Sequence, residues 1–174
     1  MTTTADIGDV LAVRLTGAFA RLIRLGAALR DQPNLVSHIA IVHHRDTSGA
    51  LWVIEAWPGG VGYRIADQYL ADRWTISNAA QAKTTTQREL IAQVAAGLLG
   101  TPYDWAGIAQ DAMIAIGAQE KWNWRRPGGP PAHVVCSSLA AWVYDKAGLA
   151  HPMVHTVRNT TPADWEQFII DGAP

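Results

Sequence analysis

The stretch LVSHIAIVHHRDTSGALWVIEAWPGG (Leu35–Gly60) sets two runs rich in β-branched and aromatic residues around a polar segment containing glycine. Val, Ile and Trp fit a pleated, half-buried surface, and Arg45–Gly49 carries turn residues, so the stretch reads as an antiparallel hairpin. With the turn there, pairing is centred near residue 46 or 47, and His38 falls opposite Glu55. Directly opposed residues share one face of the sheet, with Cβ atoms roughly 5 Å apart. The hairpin therefore sets an imidazole beside a carboxylate, and a register slip of one residue would separate them. A carboxylate beside His fixes the ring tautomer and stabilises the imidazolium. The plainer alternative makes His38 a core histidine bonded to backbone. Glu55 is harder to explain away, because a carboxylate between Ile54 and Ala56 needs a partner if it is buried.

Around the hairpin the chain alternates in type. IGDVLAVRL (Ile7–Leu15) reads as a strand, and GAFARLIRLGAALRD as an amphipathic helix with Phe19, Leu22, Ile23 and Leu29 on one side, ending near Pro33. VGYRIADQYL continues as a strand and a helical turn, and RWTISNA as another strand. TTTQRELIAQVAAGLLG is the clearest helix: Thr86 and Glu89 are read as its capping box, Leu90, Ile91, Val94 and Leu98 line one face, and Gly100 stops it. WAGIAQDAMIAIGAQ reads as a further helix, followed by the Gly/Pro-rich loop KWNWRRPGGPPAH. Near the end, Thr161 caps a helix with Pro162 in its first position. Strands and helices in this order point to an α+β fold, a small antiparallel sheet packed against helices.

Composition narrows the function. The chain has 174 residues, 49% of them hydrophobic, a formal net charge of −1 and a single cysteine. That length points to one domain spanning 1–174 with a substantial core. No basic face appears beyond Arg125–Arg126, which argues against nucleic acid as a partner. No stretch approaches the roughly 20 apolar residues of a membrane span. The N-terminal MTTTADIGDV lacks the basic and apolar regions of a signal peptide, so the expected location is the cytoplasm where the chain is made. Phage-borne delivery or release by lysis fits equally.

The single cysteine lies in PPAHVVCSSLAAWVYDKAG (Pro130–Gly148), where the prolines stop any earlier helix and Cys136 falls in the first turn of a new one. Leu139, Ala140, Val143 and Ala147 form its inward face. Unpaired N–H groups and the helix dipole favour a thiolate at that position. A lone Cys on an inward helix face is more often a small buried apolar residue. If the turn packs against the sheet face bearing His38, then Cys136, His38 and Glu55 become nucleophile, base and orienter.

Other groupings carry less. His43 and His44 end a strand at the turn and are read as facing solvent. His133 could compete as base but lies in a loop without an orienter. His151 and His155 have i, i+4 spacing, yet Pro152 between them argues against a helical metal site, and no structural metal or cofactor is expected. Eight Trp against two Phe is unusual. Trp122 and Trp124 either gate the site as substrate-binding residues or cap the core.

At this point a resemblance enters. GTPYDWAG (Gly100–Gly107), followed by VVCSSLAAWVYDKAGL, is similar to the first half of an NlpC-type papain-like cysteine hydrolase, where a GxPYxWGG run precedes a DCSGL helix. IGDVLAV, SHIAIVHH and VIEAWPGGV resemble the other half: a GDL strand, an HVGIY strand and an IHA strand. The Cys half comes last here, which resembles the circularly permuted branch, the YiiX/YaeF-like proteins and, more distantly, the lecithin:retinol acyltransferase group. The resemblance spans about Ile7 to Gly148 and implies a permuted papain-like fold. It implies Cys136 as nucleophile, His38 as base, Glu55 at the variable orienting position and Tyr103 beside the nucleophile as a substrate-positioning residue. It also implies the Cys136 backbone N–H as an oxyanion donor. Val135 stands where the family has Asp, and Ser138 where it has Gly. Asp104 and Ala106 also depart from the tyrosine motif.

The resulting expectation is a cysteine amide hydrolase, a peptidase or amidase, with cell-wall peptides as first substrate class. The alternative within the same fold is a lipid acyl hydrolase or acyltransferase, with Ala18–Leu29 and the Trp-rich loop as an acyl groove. The alternative outside enzymes is a binding protein that keeps the fold without turnover.

Overall fold

A computed structural model of the chain describes residues 4–18, 20, 21, 23, 24, 35–71, 75–108, 130–152 and 160–172. Five strands form one sheet: β1 (Val10–Val13), β2 (His38–Arg45), β3 (Leu51–Trp57), β4 (Gly60–Ile65) and β5 (Ile76–Ser77), in the order β4-β3-β2-β1-β5. Every adjacent pair is antiparallel. The helices are α1 (Asp67–Leu70), α2 (Thr85–Ala96), α3 (Cys136–Lys146) and α4 (Pro162–Ile170). The fold is α+β, as the order of sequence patterns predicts.

The central strands are apolar on both faces. Ile39 and Ile41 of β2 and Ile54 and Ala56 of β3 join the core beneath α2, α3 and α4, together with Leu139, Val143 and Trp165. Ala40 and Val42, with Leu51 and Val53, form a smaller core on the opposite face, closed by Ala66 and Tyr69. Alternating side chains of one strand serve both layers, which is why IAIV (Ile39–Val42) is an unbroken apolar run.

The hairpin register differs from the sequence reading. Ile41 pairs with Ile54 and Val42 with Val53, so continuing the ladder sets Glu55 opposite Ala40 and Trp57 opposite His38. Two local features set the shift. Asp46 organises a wide turn, its Oδ1 accepting from the Ser48 and Ala50 N–H groups at 2.9 and 3.0 Å, and Gly49 takes φ +89° inside that turn. The turn moves the pairing by three residues, and a bulge between Val42 and His44 takes one back, leaving a shift of two. The total shift is even, so His38 and Glu55 stay on one face as diagonal neighbours.

The cap of α2 is also corrected. Among three consecutive threonines, Thr84 is the N-cap: its Oγ1 accepts from Gln87 N–H, and Gln87 Oε1 accepts from Thr84 N–H at 2.9 Å. All three are chemically competent, and the packing of the helix selects one. Regular α-helix ends at Ala96, and tight turns carry the chain to Gly100, which adopts φ +78°. Thr161 and Pro162 start α4 as read, with Asp164 closing the capping box. Arg21 and Ile23 lie in helical turns after β1, whereas Phe19, Leu22 and Leu29 lie outside the described residues. Among the described residues, no helix is long and apolar enough to cross a membrane.

Candidate active site

Three short segments meet at one end of the sheet. His38 is the first residue of β2, opposite Val13 of β1, and Glu55 lies near the end of β3. Cys136 opens α3, with Val135 as an extended N-cap. Val135 has no side chain able to cap. Instead Ser138 Oγ turns back, accepting from Val135 N–H at 3.0 Å and donating to Val135 C=O at 3.1 Å. Ser138 thus supplies the reciprocal half of a capping box, while the Val135 side chain caps no first-turn N–H.

The first turn of α3 is braced from two sides. Ser137 Oγ donates to Thr160 C=O at 2.5 Å, and the buried Trp165 indole donates to Ser137 C=O at 3.1 Å, so the start of α4 holds it. From the other side, Tyr103 bridges Val134 in parallel, with Val134 N–H bonded to Pro102 C=O and Asp104 N–H to Val134 C=O. That bridge is why the PYD run and the cysteine helix act as one unit. It also brings Tyr103 to the thiol: burial, the Cys136 charge and Asp104 raise the phenol pKa. Asp104 caps the turn that follows, accepting from Gly107 N–H at 2.8 Å. A Cβ on Gly107 would meet that carboxylate at 2.7 Å, so a side chain there would displace Asp104 from its cap.

His38 is the junction. Its Nε2 lies 2.7 Å from Glu55 Oε2, which leaves Nδ1 for the thiol. Burial pulls the His38 pKa down, but the Cys136 charge and hydrogen bond, followed by Glu55, outweigh it and raise the pKa to about 9. Cys136 and His38 are 2% and 3% exposed, so the pair is shielded from bulk water. That burial strengthens any charge–charge interaction between the two groups.

Glu55 is completely buried and has more partners than the sequence indicates. Besides His38, its carboxylate accepts from Tyr69 OH at 3.1 Å, from the Trp57 indole, and from Arg64 Nε at 2.8 Å. Arg64 also lies over the Trp57 ring, 4.7 Å from its centroid, and the His38 and Trp57 rings are 5.0 Å apart. Sequence reasoning missed Trp57, Arg64 and Tyr69. A period-2 count from Glu55 would have found Trp57. Arg64 needs the β3–β4 register, in which Glu55 faces Gly62, two residues before Arg64 on the same face.

The remaining candidates separate. Trp122, Trp124 and His155 lie outside the described residues. His133 is exposed, and His151 is buried with Nδ1 3.2 Å from Pro152 C=O. His43 and His44 do not simply face solvent. The bulge turns them toward each other with Nδ1 atoms 2.8 Å apart, and His44 stacks on Trp52. Trp105, 51% exposed, packs edge-on against Tyr103 at 5.1 Å.

Fold and site together define an α+β protein in which a helix-initial cysteine meets a histidine–glutamate pair at a sheet end. No protein-family model matches the chain, and no characterised protein matches its sequence. Among solved structures it is similar to YiiX from Escherichia coli O157:H7, described as a metalloprotein of DUF1105. The two are 19% identical with a TM-score of 0.56, and the match covers 84% of this chain and 67% of that one. At that identity the likeness is one of fold.

Proposed function

We propose that this chain is a cysteine hydrolase on a circularly permuted papain-like fold, cleaving an amide bond through Cys136, His38 and Glu55. The observation that carries this reading is His38, bonded to Glu55 at 2.7 Å and subject to the charge and hydrogen bond of Cys136. A buried histidine serving structure alone needs neither a thiol nor a carboxylate on its two nitrogens.

The reaction follows from the placement of charge. The Cys136 thiolate attacks the carbonyl carbon, and the oxyanion is met by the Cys136 backbone N–H, free of an intrahelical partner in the first turn of α3. The His38 imidazolium gives its proton to the departing nitrogen, the C–N bond breaks, and a thioester and a free amine result. Neutral His38 then takes a proton from water as the oxygen adds to the thioester. The thiolate leaves with a carboxylic acid as product, and the imidazolium is restored. Glu55 keeps the ring oriented throughout. Tyr103, 6% exposed and adjoining the thiol, borders the place where the acyl group must sit. YiiX is described as a metalloprotein. Among the described residues here no group of three or more His, Cys, Asp or Glu side chains is arranged to hold a metal ion.

The testing experiment is the rate of Cys136 alkylation by iodoacetamide from about pH 4 to 10, in wild type and His38→Ala, against a free-thiol pKa of about 8.5. A reactive plateau well below that value, lost in the variant, supports the reading. A rate titrating like a free thiol and indifferent to His38 would leave a binding protein. Amide and ester substrates, wall peptides first and acyl lipids second, then separate peptidase from lipid acyl chemistry.

A further inference from the structure

Arg64 and His38 occupy different oxygens of one buried carboxylate. Arg64 Nε lies 2.8 Å from Glu55 Oε1, and His38 Nε2 lies 2.7 Å from Oε2. Tyr69 OH reaches both oxygens at 3.1 Å, and the Trp57 indole donates to Oε1. Two neutral donors already hold the carboxylate in place. Gly62, opposite Glu55, adds no side chain to that face, and the guanidinium is fixed a second time by lying 4.7 Å over Trp57. A permanent cation in addition to two orienting hydrogen bonds calls for a different explanation from orientation.

The proposed reaction supplies one. His38 must hold a proton while the amine departs and must be free of it when water attacks. In the thioester stage Cys136 bears no charge, so burial and Glu55 govern the imidazole. A buried carboxylate paired with imidazolium alone would retain the proton and slow the second half of the cycle. A guanidinium on the other oxygen draws on the same negative charge and repels a second cation, and it does so at every working pH, because arginine does not titrate there. Cys136 from α3 and Glu55 from β3 bear on His38 directly, while Arg64 from β4 and Tyr69 from α1 both contact Glu55. Arg14, after β1, lines a hollow of about 190 Å³ together with Tyr69.

We propose, resting on the cysteine-hydrolase reading, that Arg64 is a positioning residue that shares the Glu55 charge and so sets how readily His38 gives up its proton, favouring thioester hydrolysis. Burst kinetics with p-nitrophenyl acetate test it in the full chain. In Arg64→Gln the acylation burst is retained, while the acid limb of deacylation moves up by about one pH unit, so deacylation below it slows about tenfold. Arg64→Lys, which restores a cation, brings the limb back. In parallel, the His38 ring followed by NMR titrates higher in Arg64→Gln than in wild type. An unmoved limb and an unmoved ring titration overturn the proposal, as does an equal fall in both half-reactions. A wild-type protein with no burst and a thiol that titrates freely would instead sink the hydrolase reading. The NMR comparison would still decide whether Arg64 acts on His38.

Discussion

Asp9 lies just before β1 and Glu55 near the end of β3, and both carboxylates are fully buried. Asp9 accepts from Lys83 Nζ at 2.9 Å, from Arg88 at 3.1 Å and from Asp6 N–H at 2.8 Å. Lys83 has no exposed side chain, and burial lowers its pKa while Asp9 supports the charge. Around them Asn78 bonds Val10 N–H and Tyr144 OH, and Tyr144 donates to Gly8 C=O at 2.6 Å, tying β1, α2 and α3 together. Glu55 is equally well supplied with donors, but one of them is an imidazole that touches a thiol. Burying either charge demands partners. Asp9 is held by two cations and serves as a strut, whereas Glu55 is paired with an imidazole that lies against a thiol.

The largest effect should come from breaking the strut. Asp9→Ala leaves Lys83 and Arg88 without their carboxylate and is expected to cost about 3–5 kcal/mol in urea unfolding. The pH profile of Cys136 alkylation in the folded fraction should not change. A loss of a few tenths would show that this network is peripheral.

Glu55→Gln keeps the shape of the other carboxylate and removes its charge. Cys136 acylation is expected to fall about 10²-fold or more, with a smaller stability loss of about 1–3 kcal/mol. If stability fell as far as in Asp9→Ala while reactivity held, the contrast between the two regions would collapse.

The pH behaviour sharpens the same contrast. Because the His38 pKa is raised from 6.5 to about 9, its proton is present through neutral pH and leaves as pH rises through about 9. Cys136→Ser should lower the NMR midpoint more than Glu55→Gln, since Cys136 is the larger raising influence. With both removed, burial alone should take it below 6.5. The reverse order would mean that Glu55 dominates.

The smallest effect is expected from Tyr144→Phe, which deletes one hydroxyl shared by Gly8 and Asn78 at the rim of the strut. About 1–2 kcal/mol in the same urea measurement is expected, with no change at Cys136.

Much of the site is legible from local pattern. His38 and Glu55 share a sheet face because side chains alternate, and an even error in register leaves that parity intact. Cys136 starts a helix because prolines precede it and a good helical run follows. Arg64 and Tyr69 were not legible, because their link to Glu55 depends on the register of β4 and the placement of a single helical turn. The Asp9 strut was missed for a related reason: GDV, KTTTQREL and WVYDK carry no mutual signal along the chain.

The sequence by itself determined the element types, the shared face of the histidine and the carboxylate, and the helix-initial cysteine, since each depends on periods and caps spanning a few residues. Only the tertiary structure decided that the cysteine reaches that histidine, and that an arginine, a tyrosine and a tryptophan converge on that glutamate. Those contacts join segments distant in the chain, and they are set by the packing of α3 on the sheet and by the strand ladders, where no local preference acts.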